Sequence, residues 1–102
     1  MQPEISQKAA EINGLCLRCG VRVLYIFGSA LRDDFDLAQS DYDFLVEFKA
    51  MSPGDHADAY FELKEGLERM FKRPVDLVTL GSIRNPFFSE QVFASRQLVY
   101  AA

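Results

Sequence analysis

Three short runs of β-branched and aromatic residues limit what this chain can become. The first is Val21-Arg22-Val23-Leu24-Tyr25-Ile26-Phe27, apolar at nearly every position after Arg22. The second, Asp41-Tyr42-Asp43-Phe44-Leu45-Val46-Glu47-Phe48, brings two aspartates to the mouth of an apolar stretch. The third, Val75-Asp76-Leu77-Val78-Thr79-Leu80, does the same with one. Runs this short and this rich in Val, Ile, Phe and Tyr read as strands. The continuous apolarity of the first argues for burial on both faces.

Helical patterns separate the strands. Over residues 4–19, Ile5, Ala9, Ile12, Cys16 and Cys19 fall near one stripe, and Gly20 sits where a C-terminal cap belongs. Gly14 weakens the middle of that helix. Ser29 can cap a helical turn from Ala30 to about Phe35. Ser52-Pro53-Gly54-Asp55 has the order of a helix start, with Ser52 as N-cap, Pro53 in the first turn and Asp55 closing a capping box. Tyr60, Leu63, Leu67 and Met70 or Phe71 line that helix down to about Lys72, and Pro74 stops it. Asn85-Pro86 opens a last helix through Phe87, Phe88, Val92 and Phe93, before a closing strand from Gln97 to Tyr100. The order α-β-(α)-β-α-β-α predicts an α/β (α+β) domain spanning residues 1–102, with a single mixed sheet of at least three strands flanked by helices.

Composition narrows the function classes. The 102 residues are 49% hydrophobic with nine Phe, enough for a real core in one small domain. The formal charge of −4 argues against a chain built to grip nucleic acid directly, which needs a basic face. No apolar run is long enough to span a bilayer, and the start Met1-Gln2-Pro3-Glu4 does not read as a signal peptide, so a cytoplasmic setting is expected. Cys16 and Cys19 are too close together to staple a fold. They lie at the end of a helix, away from any second pair and far from the lone His56, so a structural role outweighs a zinc or redox one. His56, near a helix start, is expected to be exposed.

Asp41 and Asp43 carry the chemistry. Residues i and i+2 of a strand share a face, roughly 6.5–7 Å apart at the backbone. Two carboxylates there can converge on one cation or bracket two ions about 4 Å apart. Oxygen-only ligands suit Mg²⁺, which takes one or two carboxylates together with substrate phosphates. If the second and third strands pair, Asp76 stands beside them on the same face. Gly28-Ser29, directly after the first strand, offers backbone N–H groups without a Cβ in the way, and a hydroxyl. Phosphate-binding groups beside a carboxylate–metal cluster make a site for a nucleoside triphosphate with its Mg²⁺. Arg32 can reach a phosphate or pair with Asp36. Asp33 and Asp34 read as a solvated turn, and Phe87, Phe88 and Phe93 as core or partner contact.

Gly28-Ser29, an eleven-residue spacer from Ala30 to Ser40, Asp41-Tyr42-Asp43, and then a strand with Asp76 resemble the nucleotidyltransferase superfamily of the DNA polymerase β type. The fuller strings Leu24–Ser29, Leu31–Phe35, Ser40–Phe48 and Val75–Val78, with an ending of Asn85-Pro86-Phe87 and Leu98–Ala101, are similar to its minimal nucleotidyltransferase (MNT) branch. The spacer is longer than is common there. The resemblance implies the polymerase β palm-like fold and a two-Mg²⁺ mechanism. Asp41 and Asp43 would hold the metals and triphosphate. Asp76 would hold the catalytic metal and help activate an acceptor hydroxyl. Gly28 and Ser29, with Arg32, would hold the phosphates. Many members of the branch are antitoxins of HEPN-domain ribonuclease toxins. The resemblance thus implies a protein adenylyltransferase that moves AMP from ATP to a hydroxyl, a tyrosine above all, of a HEPN partner. The alternative it leaves is an antitoxin of weak catalysis that neutralises its toxin by contact.

Overall fold

The computed structural model describes residues 3–27, 42–80 and 96–102. Seven elements follow one another there: α1 (Pro3–Gln7), α2 (Ala9–Arg18), β1 (Val21–Phe27), β2 (Tyr42–Phe48), α3 (Pro53–Phe71), β3 (Val75–Thr79) and β4 (Gln97–Ala101). The four strands form one sheet in the order β3-β2-β1-β4. β1 runs antiparallel to both β2 and β4, whereas β2 and β3 are parallel. The sheet is therefore mixed, and α3 is the crossover that a parallel neighbour requires.

The N-terminal helical segment is two helices rather than one. Lys8 adopts φ −101° and ψ 14°, far from helical ψ, although its N–H still reaches the carbonyls of Glu4 and Ile5. The bend leaves Ile5 in the core, with Ile12, Leu15 and Cys16 of α2. Ala9, assigned to the stripe by spacing, is exposed, and Leu15 takes a buried place instead. Gly20 follows α2 at φ +70°, the left-handed conformation that turns the chain into β1.

α3 begins as its sequence dictates. The Asp55 N–H donates to Ser52 Oγ at 3.2 Å, with Pro53 in the first turn. Its end differs from expectation. The helix stops at Phe71 because Lys72 turns left-handed (φ 55°, ψ 42°) and its N–H closes on the Glu68 carbonyl. Pro74 lies past the break. Leu63 and Leu67 are fully buried against the sheet, each contributing about 1.5–3 kcal/mol by removal from water. His56 is half-buried rather than exposed, edge-on to Phe48 with ring centroids 4.9 Å apart.

Strand alternation divides the sheet between two apolar clusters. Leu24 and Ile26 of β1, Tyr42, Phe44 and Val46 of β2, and Val75 and Leu77 of β3 pack with the three helices. A register shift between Val21 and Val23 lets Val21 join them despite its parity with Val23. Phe27 and Leu45, with Tyr25, Val78 and Leu80, form a separate cluster. The Arg96 guanidinium lies 4.7 Å over the Tyr25 ring. The expected turn at residues 30–35 and the helix from Asn85 lie outside the described residues. Among the described residues no helix is long and apolar enough to cross a membrane.

Candidate active site

The alternation that buries Tyr42 and Phe44 under the helices sends Asp43, between them, to the other face. Asp76, between Val75 and Leu77, obeys the same rule. Asp43 and Asp76 are register partners in the parallel β2–β3 pair, and Asp43 is also the partner of Phe27, the last residue of β1. Their backbones are thus one strand spacing apart, about 4.8 Å. Asp43 is half-buried and Asp76 exposed.

Like charges directly opposite one another on a sheet destabilise it. Carboxylate oxygens on two adjacent strands are the ligand type a hard divalent cation takes, so the residue types of the pair suit Mg²⁺. Among the described residues no group of three His, Cys, Asp or Glu side chains gathers to hold a metal. Asp41, Gly28, Ser29 and Arg32 lie outside the described residues, as do Asp33, Asp34, Asp36 and the three phenylalanines Phe87, Phe88 and Phe93. The peptide chain alone ties Asp41 to Tyr42, and Gly28 to Phe27.

Two anchors hold the strands just before the carboxylates. Tyr42 is fully buried, and its hydroxyl donates to Glu4 Oε2 of α1 at 2.8 Å. Arg73 Nη2 lies 3.8 Å from the same oxygen, with the guanidinium 4.9 Å over the Tyr42 ring. Burial first, then the hydrogen bond to Glu4 and the charge of Glu4, raises the Tyr42 phenol above its ordinary pKa, against the pull of Arg73. Val75 is the register partner of Tyr42, and its N–H donates to Glu68 Oε2 at 3.1 Å. That bond, helped by Lys64, lowers the Glu68 pKa despite partial burial. Sequence reasoning put Asp43 and Asp76 forward as candidates and did not single out the contacts of Glu4, Tyr42 and Arg73. The available signal was a tyrosine at a core position between two aspartates, since a buried phenol needs a hydrogen-bond partner.

The cysteines belong to the core. Both are free and buried, and Cys16 packs among the helix-side residues. Burial, and then the neighbouring Cys19, pushes the Cys16 thiol up to about 12. Cys19 is also raised, by burial and then by Glu62. Neither is an activated thiolate.

The family model of the nucleotidyltransferase domain matches residues 5–99. The chain belongs to this family. A Methanocaldococcus jannaschii protein, provisionally named a protein adenylyltransferase, is 34% identical over 80 residues, covering 78% of this chain and 76% of that protein. A solved structure provisionally described as a minimal nucleotidyltransferase superposes with a TM-score of 0.69 at 30% identity, covering 90% of this chain and 89% of the other. A chain from the complex of tri-AMPylated Shewanella oneidensis HEPN toxin with MNT antitoxin superposes at 0.64 and 21% identity, covering 96% of this chain and 73% of that one. The four-stranded mixed sheet is thus the nucleotidyltransferase fold, and the protein is a nucleotidyltransferase acting on a nucleotide substrate.

Proposed function

We propose that this nucleotidyltransferase moves AMP from ATP to a tyrosine hydroxyl of a HEPN-domain toxin in the cytoplasm, and so acts as its antitoxin. The observation that carries the reading is the Asp43–Asp76 register pair on one face of the sheet. The complex of an MNT antitoxin with a tri-AMPylated HEPN toxin supports such a toxin as the partner that receives AMP. The adenylyltransferase name of the archaeal relative supports AMP as the transferred group.

Asp41 and Asp43 would hold the Mg²⁺–triphosphate, and Asp76 would add a carboxylate from β3. Mg²⁺, when bound, supplies neutralisation of the carboxylates and of the charge that develops on the phosphates. Gly28 and Ser29 would donate hydrogen bonds to the phosphates, and Arg32 would add a positive charge. The tyrosine oxygen attacks the α-phosphorus. The bond from that phosphorus to the oxygen bridging the β-phosphate breaks, and pyrophosphate leaves with the electron pair. Asp76 accepts the phenolic proton and passes it to solvent. A small domain spends most of its chain on one core, so the toxin surface itself orients the acceptor.

The test is transfer of label from α-labelled ATP to the co-purified HEPN partner, with the partner's mass measured. The unaltered protein should add one or more AMP groups to tyrosine. Asp43→Asn should lower transfer at least 100-fold while the protein stays folded, because the change is near-isosteric and removes only charge. Undiminished transfer by Asp43→Asn would remove Asp43 from the site. Toxin neutralisation that survives without transfer would favour neutralisation by contact.

A further inference from the structure

The residue between the two aspartates is held more firmly than packing requires. Phe44 and Phe71, whose rings lie 6.1 and 4.8 Å from that of Tyr42, fill the same core without a polar atom. At position 42 the chain instead buries a phenol and supplies a carboxylate from α1 for its hydroxyl. Arg73, between α3 and β3, closes the cluster on both the ring and that carboxylate. Three separate parts of the chain thus meet on the one side chain joined by peptide bonds to Asp41 and Asp43. Glu68 meanwhile fixes the backbone of the register partner, Val75.

Because side chains alternate across a strand, fixing positions 42 and 75 from the helix side sets where positions 43 and 76 aim on the other. We propose that Glu4, Tyr42 and Arg73 form a positioning cluster that sets the separation of the Asp43 and Asp76 carboxylates for metal and nucleotide. The proposal rests on the nucleotidyltransferase reading of the Asp43–Asp76 pair. None of the three touches the reacting atoms. Their role is that of outer partners that orient ligands, whose loss commonly weakens metal binding by about 10–100-fold.

The experiment compares the unaltered protein with Tyr42→Phe, which keeps the ring and deletes the hydroxyl. Mn²⁺ affinity is read by electron paramagnetic resonance in the presence of AMP-PNP. The Mg²⁺ dependence of transfer and the thermal midpoint without metal are measured alongside. Ile12→Val, a core change on α2, controls for lost stability alone. Tyr42→Phe should weaken Mn²⁺ binding by roughly 10-fold and raise the Mg²⁺ needed for half-maximal transfer. It should lower kcat less when Mg²⁺ saturates, while Ile12→Val leaves Mn²⁺ affinity unchanged. Glu4→Gln retains an acceptor for the phenol and should show a smaller effect in the same direction. It also serves as the test should Tyr42→Phe not fold. Mn²⁺ affinity within twofold of the unaltered protein in a folded variant would overturn the positioning role alone. Absence of Mn²⁺–nucleotide binding by the unaltered protein would overturn the reading beneath it as well.

Discussion

Cys16 and Cys19 show how environment, not spacing, decides what a residue does. Their separation fits a redox or metal pair, yet burial holds both protons on. The consequence for stability has a definite sign. Below pH about 9 folded and unfolded chains both carry neutral thiols, so the contribution of these groups is fully present. Above it the unfolded chain ionises first, and stability is lost as pH rises toward about 12, where Cys16 titrates when folded. The raised Tyr42 phenol acts in the same direction. The urea midpoint should therefore hold steady from pH 7 to about 8.5 and fall at higher pH, with part of the fall removed in Cys16→Ala. Alkylation of Cys16 at pH 8 should be far slower in the native protein than in urea, and equal rates would contradict its burial. The pairing of Asp43 with Asp76 could be anticipated from the sequence because a carboxylate amid Phe, Leu and Val is costly without a partner and marks each strand. Glu4 was not, because its partner Tyr42 is 38 positions away and nothing in the local pattern of α1 points to it.

Strands and helix starts were legible for a related reason: their determinants are local. β1, β2 and β3 fall within a residue of the apolar runs, and Ser52-Pro53 places the start of α3. The break at Lys8 and the left-handed exit at Lys72 were not legible, since helical periodicity continues through both and only backbone dihedrals reveal them. Both ends of α3 make quantitative predictions. Ser52→Ala orphans the Asp55 N–H and should cost about 1 kcal/mol. Lys72→Gly should stabilise by about 0.5–1 kcal/mol, because a left-handed residue with a Cβ is strained where glycine is not. Urea denaturation reads both. A destabilised Lys72→Gly would mean that the Lys72 side chain contributes more to the folded state than its exposure suggests.

At the scale of the whole molecule, the strand order gives the two carboxylates unequal supports. Asp43 stands on β2, which has β1 and β3 on its two sides, whereas Asp76 stands on β3, an outer strand of the sheet among the described residues. Outer strands open locally at lower free energy than inner ones, so their amides exchange with deuterated water sooner. One carboxylate thus stands in the middle of the sheet and the other at its border. A ligand bridging both would fasten that border. Addition of Mg²⁺ and AMP-PNP should slow deuterium uptake across Val75–Thr79 several-fold and leave the fully buried Phe44–Val46, expected to exchange slowly without ligand, little changed. Uptake unaltered in both segments would show that the nucleotide does not span the two strands. On the proposed reading the outer strand would serve as the protein's own gauge of occupancy, its deuterium clock running fast with the site empty and slow with it filled.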